Sequence, residues 1–141
     1  SYDMVDRLRE RSEVRFLLSG SSGTLRREAN LIPLPHQSGH HHPDLVRASD
    51  ALVGKAGYGT VAEVQVSGIP FARVLRDNFR ESPFLGAYLD KHIPGFTLSE
   101  TDFNGGSWLD RLDELLFQSL KGIGNGNGGS FAAERIVSFI A

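Results

Sequence analysis

The chain has 141 residues, 40% hydrophobic and 23% charged, with 15 Lys and Arg against 17 Asp and Glu for a formal net charge of -2. One sizeable core fits this length but two substrate-sized lobes do not, and the near-neutral balance lacks the basic footprint of a nucleic-acid binder. With zero Cys, disulfides, zinc thiolate sites and Cys nucleophiles are excluded, no stretch reaches the roughly 18 to 20 apolar residues of a membrane span, and no signal-peptide pattern opens the chain, so a cytoplasmic location without nucleic-acid partners is expected.

The elements follow from hydrophobic periodicity and turn residues. From Tyr2 to Arg11, Met4, Val5 and Leu8 share one face of a short amphipathic helix. Val14 to Leu18 reads as a strand ending in a Ser/Gly turn, Leu31 to Leu34 as a second strand, Pro43 to Ser49 as a helical turn and Ala51 to Val53 as a third strand. A loop from Gly54 to Gly59 leads to a helix over Thr60 to Ser67, closed by Gly68. A buried strand over Pro70 to Leu75, a helix over Pro83 to His92 and a strand over Phe96 to Leu98 come next. Two helices, Ser107 to Leu120 and Ser130 to Ile140, flank a Gly/Asn-rich loop from Gly122 to Gly129. Trp108, Leu109, Leu112, Leu115, Leu116 and Leu120 form the apolar stripe of the first, a packing surface rather than a ligand box.

Strands alternating with helices predict an α/β, Rossmann-like domain, a parallel sheet with helices on both faces. Ligands of such sheets sit beyond the carboxyl ends of the strands. The chain opens on a helix where a doubly wound sheet normally opens on a strand. It therefore reads as a single domain over 1–141 that is a piece of a longer protein or whose opening segment was not retained, and an unpaired strand edge would favour a homo-oligomer.

The strongest local pattern runs from Asp50 to Glu63: strand, glycine turn, helix start. Glycines permit close backbone approach, and free amides with the helix dipole favour a phosphate at the helix N-terminus. Gly57, Tyr58 and Gly59 thus form a diphosphate cradle that needs no basic side chain, although neither a Walker A loop nor a full dinucleotide fingerprint is present. Glu63 has two readings. Thr60 and Glu63 fit a Thr-x-x-Glu capping box, and a Glu63 free of the cap suits the vicinal hydroxyls of a ribose.

The run from Ala48 to Glu63, followed by Ser67-Gly68-Ile69-Pro70 and by Arg76-Asp77-Asn78-Phe79-Arg80-Glu81, resembles the C-terminal, donor-binding half of GT-B glycosyltransferases. It is most similar to the peptidoglycan N-acetylglucosaminyltransferase branch and to glycosyltransferase-like proteins with a Gly-Tyr-Gly turn. Residues 128 to 136 resemble the closing helix of such domains. The resemblance implies a nucleotide sugar, usually a UDP-sugar, bound as substrate without a further cofactor, with acceptor and catalytic base supplied by an N-terminal half. It also implies that Gly57, Tyr58, Gly59 and Thr60 face the diphosphate, Glu63 holds the ribose, Pro35 and His36 border the base, and Asn78, Phe79, Arg80 and Glu81 border the donor sugar. The isolated chain would then turn over nothing. Two other readings stay open: a noncatalytic nucleotide or protein-binding module on the same fold, and a nucleotide-sugar 2-epimerase-like domain.

Other residues invite chemistry. His40, His41 and His42 suggest a metal, yet adjacent residues of an extended loop point apart and no second ligand cluster stands nearby, so no metal site is expected. His36 or His42 could instead contact phosphate or base. Lys55 could approach the diphosphate or lie exposed in its loop. Arg80 offers a planar donor fork to a phosphate or sugar oxygen, or forms a solvated ion pair with Glu81 worth at most about 1 kcal/mol. No Gly-x-Ser-x-Gly elbow supports hydrolase chemistry.

Overall fold

The computed structural model describes residues 2–21, 25–77, 79–118 and 128–140. Helix α1 (Tyr2–Glu10) leads into strand β1 (Phe16–Ser19), which pairs in parallel with β2 (Leu31–Leu34) in the register Phe16 to Leu31 and Ser19 to Leu34. The buried Asn30 side chain donates from Nδ2 to the carbonyls of Leu8, at 2.9 Å, and Arg11, at 3.2 Å. It thereby adds a second donor to two carbonyls at the end of α1 that also accept from the Arg11 and Val14 amides. Helix α2 (His42–Arg47) connects to β3 (Leu52–Lys55), and α3 (Tyr58–Ser67), β4 (Phe71–Val74), α4 (Ser82–His92) and β5 (Gly95–Leu98) follow. The order β3-β4-β5 is parallel throughout, with Leu52, Phe71 and Gly95 in register.

The fold is thus α/β with parallel strands flanked by helices. The strands form two hydrogen-bonded ladders rather than one continuous sheet, yet both feed one core. Phe16 and Leu31 pack with Ala72, Val74, Phe96 and Leu98, with Leu8 of α1 and with Trp108, Leu109, Leu112 and Leu115. A second cluster joins Phe71 to Val46, Val61, Val64, Leu85 and Leu89 of α2, α3 and α4. Alternate residues of β4 therefore enter different clusters, as the two-residue period of a strand requires. Burying each such side chain stabilises the fold by about 1.5 to 3 kcal/mol.

One residue breaks the apolar run of β4. Arg73 is 2% exposed, and its guanidinium pairs with Asp90 of α4 and reaches the carbonyls of Phe71 and Ile93. An unpaired charge at this depth would be strongly destabilising. Asp90 supplies the partner and ties α4 to the sheet.

Several boundaries differ from the sequence reading: β1 is Phe16–Ser19 rather than Val14 to Leu18, and α2 is His42–Arg47 rather than Pro43 to Ser49. Gly54 and Lys55 extend β3 by pairing with Arg73 and Val74, and α3 begins at Tyr58 instead of Thr60, so the predicted loop shrinks to Ala56 and Gly57. An unpredicted helix, α5 (Glu100–Gly105), starts where the Ser99 hydroxyl accepts from the Asp102 amide at 3.0 Å. The single helix expected over Ser107 to Leu120 is instead a 3-10 helix (Ser107–Arg111) followed by α6 (Leu112–Leu116), entered through Gly106 at φ 74°. Its predicted stripe holds: Trp108, Leu109, Leu112 and Leu115 are buried and Leu116 is partly buried, while Leu120 lies outside the described residues. Most of the Gly/Asn loop lies outside them too, and Gly128 and Gly129 belong to the last helix, α7 (Gly128–Ile140). Among the described residues no helix is long and apolar enough to cross a membrane.

Candidate functional site

The parallel ladder continues one residue past β3, where the Ala56 amide donates to the Val74 carbonyl at 2.8 Å, and then breaks at Gly57. Gly57 caps α3 in an extended conformation, without any side-chain cap, and the first helical bond runs from the Val61 amide to the Gly57 carbonyl at 2.9 Å. The amides of Tyr58, Gly59 and Thr60 precede that bond, so they have no acceptor within the helix. No acidic side chain occupies the first turn. The positive end of the helix dipole therefore meets solvent without a compensating carboxylate.

The glycines here are not demanded by the backbone. Gly54, Gly57 and Gly59 are absent from the positive-φ glycines, and a Cβ built on any of them would meet nothing within 4 Å. No left-handed conformation requires glycine at these positions; their effect is to leave space beside the amides.

That space opens into a cleft of about 200 Å³ beyond the carboxyl ends of β3 and β4, lined by Ala56, Gly57, Tyr58, Arg76, Phe79, Glu81, Ser82 and Leu85. The Arg76 guanidinium lies over the Phe79 ring, 4.7 Å from its centroid. The Ser82 hydroxyl donates to the Arg76 carbonyl at 2.7 Å, and successive turns bond the Phe79 amide to Arg76 and the Ser82 amide to Phe79. Of the four residues expected at the sugar, Phe79 and Glu81 line the cleft, Arg80 is exposed and not part of its lining, and Asn78 lies outside the described residues. Among the described residues no ion pair joins Arg80 to Glu81. The basic side chain at the cleft is Arg76, which the sequence reading passed over because only its place after β4 distinguishes it from any exposed arginine.

Glu63 is the seventh residue counted from the Gly57 cap, nearly two turns into α3, and its Oε2 lies 2.7 Å from Nδ1 of His42. The capping-box reading is thereby overturned. Thr60 is already helical, so Glu63 is too far along the helix to reach the cap amide, and its carboxylate turns to the first residue of α2 instead.

The remaining predicted residues scatter around this centre. Lys55 donates to Oε1 of Glu100 at 2.6 Å, and the Lys55 ammonium holds the Glu100 carboxyl below the usual carboxylate range, by hydrogen bonding first and charge second. Pro35 and His36 follow β2, where a Cβ on Gly20 would come within 3.1 Å of the His36 ring, so the turns after β1 and β2 touch there. His41 approaches Asp44 at 3.3 Å, and among the described residues no group of three or more His, Asp or Glu could hold a metal ion. A larger cleft, about 390 Å³, opens at the start of β5 beside Arg73, Asp90, Lys91, His92 and Gln118. It lies at the opposite strand ends from the glycine turn and carries none of the predicted site residues.

Fold and cleft together define an α/β domain that carries a helix N-terminus without a side-chain cap, beside a cleft at the carboxyl ends of parallel strands. The chain is 39% identical over 119 residues to L-arabinokinase of Arabidopsis thaliana, a match covering 83% of this chain and 11% of that protein. It is 29% identical over 92 residues to UDP-N-acetylglucosamine--N-acetylmuramyl-(pentapeptide) pyrophosphoryl-undecaprenol N-acetylglucosamine transferase of Bacillus subtilis (strain 168), and 30% identical over 95 residues to the transferase of the same name from Bacillus pumilus (strain SAFR-032). These two matches cover 58% and 62% of this chain and 24% of each transferase. The chain spans between 11% and 24% of the length of these relatives, two of which are named as sugar-transferring enzymes. No protein-family profile matches the chain, and no solved structure matches it.

Proposed function

We propose that the chain is the donor-binding, C-terminal-type domain of a GT-B-like glycosyltransferase, taking a UDP-sugar as substrate. The observation that carries this reading is the N-terminus of α3: three amides without helical acceptors, beside glycines that leave the adjoining space open, at the mouth of a cleft holding one arginine. An anionic diphosphate suits this arrangement. The Tyr58, Gly59 and Thr60 amides would bind it and stabilise the charge that develops as it departs, preorganised dipoles acting where charge appears. Glu63 would accept from the ribose hydroxyls, Pro35 and His36 would border the base, and Phe79 and Glu81 would border the sugar. Acceptor and catalytic base would come from a separate N-terminal domain. The similarity to UDP-N-acetylglucosamine transferases supports uridine as the base.

Calorimetric titration with UDP, GDP, ADP and TDP tests the reading. Uridine-selective binding, weakened about tenfold or more (~1.4 kcal/mol) by Glu63→Ala, is expected. Failure of the folded full-length protein to bind any of the four overturns it.

A second reading has its own support. The match covering 83% of the chain is to a protein named as a kinase, not a glycosyltransferase, which favours a nucleotide-binding module without glycosyl transfer. Label transfer from a UDP-sugar by the full-length protein separates the two: transfer sustains the first reading, and nucleotide binding without transfer sustains the second.

A further inference from the structure

The contact between His42 and Glu63 goes beyond a surface ion pair in its placement. His42 is the first residue of α2 and Glu63 lies in the middle of α3, two helices packed side by side after β2 and β3. Their side chains are 45% and 24% exposed, so the pair is open to solvent while the carboxylate is the more enclosed partner. At 2.7 Å an imidazole nitrogen and a carboxylate oxygen are within hydrogen-bond distance, and an ionised carboxylate can only accept. The donor is Nδ1–H of His42 and the acceptor is Oε2 of Glu63. A carboxylate accepts up to about four hydrogen bonds, so Oε1 and one lone pair of Oε2 remain for another donor. A Glu side chain is otherwise among those with most rotamer freedom to lose on ordering.

We infer that His42 is a positioning residue for Glu63: it donates Nδ1–H to Oε2 and holds the carboxylate in one orientation, with its other lone pairs turned to the vicinal diol of a nucleotide ribose. This inference rests on the reading of Glu63 as the ribose acceptor. Preorganisation of this kind raises affinity by removing the cost of ordering the side chain at the moment of binding. Its effect falls only on ligands that carry the diol.

The test is calorimetric titration of the full chain with UDP and with 2′,3′-dideoxy-UDP, for the wild type and for His42→Ala, His42→Asn and Glu63→Ala. The expected result is that His42→Ala weakens UDP about tenfold (~1.4 kcal/mol) and leaves dideoxy-UDP unchanged. His42→Asn, whose amide N–H replaces that of the ring, should recover most of the loss, and Glu63→Ala should abolish the preference for UDP. The inference is overturned if His42→Ala keeps the full preference, or if it weakens both nucleotides equally, as a merely structural role would. If the wild type prefers neither nucleotide, or Glu63→Ala retains the preference, the ribose reading itself fails and the inference falls with it.

Discussion

Two glycine-bearing regions of this domain look alike in sequence and differ in what requires the glycine. Gly95 opens β5 at φ 138°, and a Cβ there would lie 2.0 Å from the Phe71 carbonyl oxygen. No side chain fits that position. Gly57 and Gly59, at the start of α3, lack a positive φ, and a Cβ on either would meet nothing within 4 Å. Close approach of two backbone strands therefore explains the first glycine, and nothing among the described residues explains the other two. The contrast separates a glycine that serves the fold from glycines whose effect is to keep a surface open.

Two substitutions probe that contrast and a third probes a charge pair beside β3, beginning with the largest effect. Gly95→Ala should cost on the order of 3 kcal/mol or more, read from denaturant unfolding, because the strain and the overlap with Phe71 act together. A loss under about 0.5 kcal/mol, the range of ordinary surface substitutions, would dissolve the distinction. Gly59→Ala should act in the opposite sense on stability, adding up to about 1 kcal/mol since alanine is the better helix former in an unstrained position. The same variant should bind UDP more weakly, as the new methyl stands beside the exposed amides. A variant that is more stable and binds UDP as before would show that the open space serves no ligand.

The smallest effect concerns the rim of the site. Lys55 depresses the folded pKa of Glu100, so that contribution is complete above the unfolded value of about 4.3 and is lost as pH falls through the lower folded value. Glu100→Gln should therefore flatten the acid end of the stability profile, while stability at neutral pH changes little because the pair is exposed. An unchanged acid profile in the variant would mean that Lys55 is free to turn to the cleft.

Much of the architecture was legible in the residues. The β-branched and aromatic runs over Leu31–Leu34 and Phe71–Val74, punctuated by glycine and proline, gave strands within a residue of those observed, because local periodicity and turn chemistry act over short distances. Helix α5 was overlooked although Ser99 and Asp102 carry a capping signal. The helix expected after Ser107 divides at a 3-10 segment, since Trp108 and Leu109 pack inward on the core and that packing outweighs helix propensity.

The candidate site was legible only in part. Sequence pointed to Gly57, Tyr58, Phe79 and Glu81, which line the cleft, because strand, glycine and helix follow one another there. It could not identify Arg76 as the cation of the cleft or His42 as the partner of Glu63. His42 and Glu63 are 21 residues apart and meet only because α2 packs on α3.

By itself the sequence determined the alternation of strands and helices, the exclusion of cysteine chemistry and the position of the anion-suited turn, all of which are carried by near neighbours. Tertiary structure decided the rest: which glycine is locked by a neighbouring strand, where Thr60 and Glu63 fall relative to the helix cap, how the buried Arg73 finds Asp90, and which charges face the cleft. These depend on the packing of distant segments and on where a helix starts, to within two residues. A shift of the α3 start from Thr60 to Tyr58 is enough to move Glu63 from a backbone cap to a side-chain pair.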